Sequence, residues 1–435
     1  MVPKNHISRP KTKIIRKYIA TLIFMHFLVV MTMLVVVIMS GANYRELLLV
    51  DDGYYNIAEK FLHGATLLHK FRGPVLPLIF SILFVFPKSA HPFVRLLISL
   101  VFSAGTIIVL FEIAKRYISE RAFFFGCLIF VLNPVYNHWV LKSSPEIFLA
   151  FFLGLFILNM IYYSETSKIR FLLYACLIFS LSYFVKPVFL FIPLFLFLAA
   201  ALIKSRRFII VSLLLLILGI CSYCVQDRFT QVKYDPSVKR LERKYDYIHK
   251  TLLIADTYWV DYVLKTKQFS KSTILGYGVP YRDGKSLNEY CTDWVKAFYK
   301  RYPRGSLVFM NLYFVYREPI LVLQKLLISP FFYFAMSARE EETFIKLFFS
   351  IFSVVLSIIG LRTVYKRSEH KNEIELIISI IVGFIALHLV THTMNRYSVP
   401  ILPYLYVWGG IPLLWIINGL SKLPHWRSSI VKYET

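Results

Sequence analysis

Charge is scarce in this sequence. Asp, Glu, Lys and Arg make up 17% of its 435 residues, against about 25% in soluble domains. The deficit falls on one sign: 25 acidic residues face 50 basic ones, a formal net charge of +25. Cysteine is also rare, with 5 in the chain, which excludes a disulfide-stapled scaffold. Cys127, Cys176, Cys221 and Cys224 lie in apolar runs and read as small hydrophobes, the Cys221-Ser-Tyr-Cys224 spacing included. No Asn-x-Ser/Thr sequon occurs, and no Gly-rich nucleotide loop. What is present is apolar: 57% of residues are hydrophobic and 17% aromatic, with a mean hydropathy of +0.60. A water-soluble globule is excluded. Apolar runs such as 19–39, 123–132, 209–220 and 374–387 mark an all-α polytopic membrane protein.

Ten segments are long enough, or nearly so, to span: 17–40, 92–114, 121–138, 145–163, 170–185, 187–203, 207–225, 343–361, 374–394 and 398–419. The first follows a basic stretch, and at 21 residues its core 19–39 exceeds a signal-peptide core of about 7–15. It reads as a retained membrane helix with a cytoplasmic N-terminus. Residues 74–88 would make only about 21 Å of helix against a hydrocarbon core of roughly 30 Å, and 319–336 carry Gln324, Lys325 and Pro330 mid-run. Both read as re-entrant or interfacial. Both termini then lie inside, and the inner pieces, among them 115–121, 164–170, 204–207 and 362–373, hold 21 of the 50 Lys and Arg. The positive charge is therefore a topology signal, and no nucleic-acid partner is expected. The chain divides into an N-terminal membrane module, 1–225, whose first outer loop is 41–73; an extracytoplasmic loop with interfacial helices, 226–342; and C-terminal membrane helices, 343–435.

With the orienting charges set aside, the remaining polar residues collect on the other face. The first outer loop carries Asp51-Asp52-Gly53-Tyr54-Tyr55-Asn56 and ends in Arg72-Gly73-Pro74. Asn133-Pro134 and Lys142-Ser143-Ser144-Pro145-Glu146 flank another outer turn, Lys186-Pro187 a third, and His392, Asn395, Arg396, Tyr397 and Pro400 a fourth. Adjacent carboxylates ringed by cations at headgroup depth suit a reaction in which a hydroxyl loses its proton to a carboxylate while Arg and Lys hold a departing phosphate. A transporter would instead place ionisable groups near the bilayer midplane, where almost none are found.

This ordered set resembles the dolichyl-phosphate-mannose protein O-mannosyltransferase family and the related lipid A aminoarabinose transferases, multi-spanning glycosyltransferases of the GT-C fold. The resemblance rests on Asp51-Asp52-Gly53-Tyr54-Tyr55-Asn56-Ile57-Ala58, Arg72-Gly73-Pro74, Asn133-Pro134, Pro145-Glu146, Lys186-Pro187 and Arg396-Tyr397-Ser398-Val399-Pro400. It implies a GT-C bundle of about ten helices and an inverting transfer of a monosaccharide from a polyprenyl-phosphate donor. The acceptor would be a hydroxyl on a glycolipid, glycan or protein. Asp51 would be the general base with Asp52 beside it, where relatives carry Glu. Arg72, Lys186 and Arg396 would hold the donor phosphate, and Tyr54, Tyr55, Asn133, Lys142, Glu146 and Tyr397 would line the sugar and acceptor site. Gly73 stands where relatives have proline or lysine, so the phosphate clamp is built differently. The implied setting is a bacterial cytoplasmic membrane with the site on its outer face.

Other uses of these residues stay open. The acidic pair can cap the helix after it or hold a divalent cation, Lys142 and Lys186 can snorkel, Arg396 can anchor, and Glu146 can serve a helix dipole. His388 and His392 share a helical face with no third ligand evident, so no metal site is assigned. The aromatic residues of 226–342, Trp259 and Trp294 among them, can stack on acceptor sugars or lie in the headgroup belt. A glycan ligase or polymerase using polyprenyl-diphosphate donors and a non-enzymatic transporter are the competing functions.

Overall fold

The computed structural model describes residues 11–41, 53–64, 73–202, 205–231, 280–282, 285–286, 293–294, 297–298, 300–302, 307–319, 322–323, 343–390 and 398–420. The described chain is helical apart from one short antiparallel hairpin, β1 (Pro280–Arg282) with β2 (Lys285–Ser286). The N-terminal half contains α1 (Lys11–Met39), α2 (Tyr54–Leu62), α3 (Val75–Phe80, continued by a 3-10 turn to Val85), α4 (His91–Ala114), α5 (Glu120–Val131), α6 (Pro134–Leu141), α7 (Pro145–Thr166) and α8 (Ile169–Val185). A 3-10 turn, Pro187–Phe191, leads into α9 (Ile192–Leu202), followed by α10 (Arg206–Gln231), α11 (Leu307–Arg317), α12 (Thr343–Arg367), α13 (Lys371–Val390), α14 (Leu402–Tyr406) and α15 (Gly410–Leu420).

Five of these helices contain a stretch long and apolar enough to cross a membrane: Ile15–Met39, His91–Ala114, Pro145–Thr166, Arg206–Gln226 and Phe348–Arg367. The chain is a multi-pass membrane protein. The segment 121–138, expected as one span, is instead broken into α5 and α6, which meet at 61°. The cause is local. Pro134 has no N–H to continue a ladder, and Asn133 adopts an extended conformation and caps α6, its Oδ1 accepting the Tyr136 N–H at 2.8 Å. The Val131 carbonyl at the end of α5 accepts from Asn137 Nδ2 at 2.7 Å instead. Residues 75–85 are too short to span, as their length predicts. Leu78, Ile82 and Val85 are exposed, while Leu76, Phe80 and Leu83 are buried.

The described chain forms two compact units: residues 1–227, 349–381 and 399–435, and residues 228–348 with 382–398. The first unit has an apolar core and also carries large apolar side chains on its outside, with a few polar ones buried. On α4, Leu97, Val101 and Ile108 are exposed, whereas Arg95, Ser99, Ser103 and Thr106 are wholly buried. That is the arrangement a hydrocarbon surround favours, because polar groups gain only by meeting each other. Close backbone approach does much of the packing: a Cβ on Gly410 of α15 would sit 1.8 Å from the Ala122 carbonyl of α5. Tyr404 Oη donates to the Ala150 carbonyl of α7 at 2.6 Å, joining the C-terminal helices to the centre of the unit. In the second unit Trp294, Phe298 and Phe314 form an aromatic core, with the Trp294 ring 5.7 Å from Phe298 and 4.9 Å from Phe314.

Candidate functional site

The site is built around the N-terminus of α7. Ser144 is extended, caps the helix and accepts the Glu146 N–H, with Pro145 at the first helical position. Glu146 follows in the first turn, where the helix dipole favours a negative charge, and it is buried. Its Oε2 accepts from Ser144 Oγ and its Oε1 from Lys186 Nζ. Glu146 and Lys186, 40 residues apart in sequence, thus form an ion pair whose side chains are 1% and 17% exposed. Burying both charges costs more than their attraction returns unless geometry and additional hydrogen bonds are good. A pair kept at that cost is a place to look for function.

Two points of the first loop, Tyr54 and Gly73, come to the chain segment that carries Lys186. Tyr54, the first residue of α2, is buried and donates its hydroxyl to the Val185 carbonyl at 3.3 Å. At the second point, a Cβ on Gly73 would lie 1.5 Å from the Phe184 carbonyl oxygen, so only glycine fits. Gly73, which departs from the pattern of relatives, is therefore a contact point where the returning chain lies flush on the end of α8. Tyr55 donates to His91 Nδ1 at 2.8 Å, and His91 Nε2 donates to the Phe86 carbonyl at 2.9 Å, which ties α2 to the start of α4.

The short helix α6 leads to α7. At its start lies a polar cluster inside the bundle: Ser103 Oγ is 2.7 Å from His26 Nε2 and 3.1 Å from Tyr136 Oη. His26 is buried in the middle of α1, an intramembrane ionisable group that the sequence reading passed over. At the other end of α6 the chain turns through Lys142-Ser143-Ser144, with Ser143 at φ 50°. Arg95, wholly buried, donates through Nη2 to the carbonyls of Lys142 at 3.2 Å and Ser143 at 3.3 Å. Sequence reasoning missed Arg95. The spacing of Arg95, Ser99, Ser103 and Thr106 down one face of α4 was the signal that could have found it.

Of the residues expected at the site, Glu146 at the start of α7 pairs with Lys186 just past the end of α8, and Tyr54 reaches Val185, the residue before Lys186. Asn133 is buried in the helix break. Lys142 lies with its Nζ 5.1 Å above the Trp139 ring. Tyr55 stays on the α2–α4 contact. Asp51, Asp52, Arg72, Arg396 and Tyr397 lie outside the described residues, as does His392. Among the described residues no group of three His, Cys, Asp or Glu side chains could hold a metal ion. Trp294 stacks within its own unit's core. The cluster at α7 offers a lysine ammonium with three donors, oriented by a fixed carboxylate beside a close backbone junction.

Residues 72–224 match the family model of dolichyl-phosphate-mannose-protein mannosyltransferase. The structure is similar to the archaeal oligosaccharyltransferase AglB from Archaeoglobus fulgidus, solved in complex with an inhibitory peptide and a dolichol-phosphate, with a TM-score of 0.50 at 13% identity. The similarity covers 97% of this chain and 52% of that one, so the chain spans about half the length of the solved relative. A comparison with curated protein sequences gives no match. Both matches are to glycosyltransferases of the GT-C type, and the fold of this chain is of that type.

Proposed function

We propose that this chain is a GT-C glycosyltransferase that moves a monosaccharide from a polyprenyl-phosphate donor to a hydroxyl on a glycolipid, glycan or protein. The observation that carries the reading is the convergence on the end of α8. Tyr54 bonds Val185, Gly73 lies on Phe184, and Lys186 follows next in the chain. Arg72 is the residue before Gly73 in the sequence. Asp51 and Asp52 stand immediately before Gly53, the cap of α2.

In the proposed reaction the acceptor hydroxyl attacks the anomeric carbon. Asp51 takes the hydroxyl proton, the bond from the anomeric carbon to the phosphate oxygen breaks, and the configuration inverts. The lipid phosphate leaves with one more negative charge than it had in the donor. Lys186, Arg72 and Arg396 supply cations where that charge grows. Glu146, bonded to Lys186, orients the ammonium, Tyr54 and Tyr55 hold α2, and Lys142 and Tyr397 line the sugar pocket; Asn133, expected there, is instead buried as the cap of α6. We place this site on the outer face of a bacterial cytoplasmic membrane, with both termini inside. The supporting observation is that Arg116, Glu165, Arg207 and Glu373, from the basic loops that the positive-inside rule assigns to the cytoplasm, gather at the opposite end of α7.

The test is transfer by the purified protein in liposomes supplied with polyprenyl-phosphate monosaccharides, with mass spectrometry of surface glycolipids and glycoproteins from a strain lacking the gene. Loss of one monosaccharide in that strain, restored by the protein, supports the reading. An unchanged glycan profile and no transfer from any polyprenyl-phosphate sugar would overturn it.

A further inference from the structure

We infer that Arg95 is a positioning residue for this proposed site, the clamp that sets where the first-loop return segment and the Glu146 helix stand relative to one another. The inference rests on the glycosyltransferase reading for its kinetic consequence but not for its geometry. Arg95 enters the core from the first turns of α4 with no exposed surface. On one side its guanidinium donates to the carbonyls of Lys142 and Ser143, the turn that ends in the Ser144 cap and so sets the start of α7. On the other side its Cζ lies 4.9 Å from the centre of the Phe80 ring. Phe80 belongs to α3, the helix that follows Gly73 and Pro74. Its ring meets Phe148, two residues beyond Glu146, edge-on at 5.9 Å.

One planar group therefore holds two things that the sequence separates by more than sixty residues. A guanidinium suits the place because Nη2, at the tip of a planar group, donates to two adjacent carbonyls while the face of that plane lies over an aromatic ring, a geometry that the shorter, non-planar head of lysine does not reproduce. The turn needs such a clamp. Ser143 is a non-glycine residue in the left-handed region, a conformation that persists where the surroundings over-determine it. If the turn relaxes, Ser144 moves, and with it the cap, the carboxylate of Glu146 and the ammonium of Lys186. Arg95 touches neither the donor nor the acceptor in this account. It acts through the turn.

The test compares Arg95→Lys and Arg95→Ala with the parent protein in proteoliposomes, reading transfer kinetics and peptide-resolved hydrogen–deuterium exchange together. The expected result is a fall in kcat of about 10²-fold in Arg95→Lys, the scale of a 1 Å misplacement, with KM for the acceptor little changed. Exchange should rise over residues 142–148 while α5 and α15 keep parental protection. Methylguanidinium added to Arg95→Ala should restore both kcat and the protection of the turn. The inference fails if Arg95→Lys keeps parental kinetics and exchange. It also fails if exchange rises over the whole bundle and methylguanidinium restores nothing, since Arg95 would then be a general core residue. Should the parent protein transfer no sugar, the reaction proposed above is wrong, and the exchange pattern with its methylguanidinium rescue decides the clamp alone.

Discussion

The two ends of α7 carry the same kind of interaction, with the carboxylate buried at one end and part-exposed at the other. At its N-terminus Glu146 meets Lys186 with side chains 1% and 17% exposed. At its C-terminus, about 30 Å away along 22 residues, Glu165 meets Arg116 at 2.9 Å with side chains 28% and 14% exposed. Around the second pair the partners spread outward. Arg207 reaches Ser167 and stacks on Tyr163, Ser164 reaches Glu373, and Arg116 lies over Tyr162. Burial, and after it the neighbouring Glu373, pushes the Tyr117 hydroxyl well above its ordinary pKa, so it stays a neutral member of that group. These contacts fasten loops to one another. Around the first pair everything converges: a cap, a left-handed turn, a buried guanidinium and, through Tyr54 and Gly73, two points of the first loop. Orienting charges need only stay near water, whereas a buried pair is retained for geometry.

Removing one member at each end should separate the two settings. Lys186→Met leaves Glu146 buried and uncompensated, so the protein should lose about 3–5 kcal/mol of stability together with transfer activity. Lys186→Met combined with Glu146→Leu should regain most of the stability, measured by thermal unfolding in detergent, and none of the transfer. If the double variant transfers sugar, the pair is structural and the contrast collapses. Gly73→Ala should come next. The new Cβ meets the Phe184 backbone, and relief by backbone shifts costs about 1–3 kcal/mol, with a drop in kcat because Arg72 moves with Gly73. At the far end, Arg116→Ala should cost about 0–1 kcal/mol, readable as a small shift in Tm, and should leave transfer at the parental rate. A large loss of transfer there would mean that the two ends are not distinct.

The same contrast explains how much was legible beforehand. Helices follow from apolar runs: all ten expected segments are helical over most of their described residues, but five of them hold a stretch long and apolar enough to cross a membrane. Glu146 and Lys186 were each readable as polar residues beside proline at a helix end. Their pairing was not, since it depends on how α7 packs on α8. Asn133-Pro134 announced a boundary, but a cap followed by proline marks a bend inside a segment as readily as the end of one, and here it bends by 61°. Arg95 in His91-Pro-Phe-Val-Arg95 drew no reading from the sequence. Only the burial of Ser99, Ser103 and Thr106 below it shows that this face of α4 points inward. Gly73 read as a sign that the clamp is built differently, and the structure shows what the glycine allows there, a close approach to the Phe184 carbonyl.

The central claim is that a carboxylate of the first loop takes the proton from the acceptor while the cations beside Gly73 and at Lys186 hold the phosphate. It is tested most directly by Asp51→Asn, inserted and folded like the parent, assayed in liposomes with a polyprenyl-phosphate sugar. The account predicts that kcat falls by about 10²- to 10⁴-fold, the usual contribution of a general base, with donor binding retained. Transfer at the parental rate would contradict it.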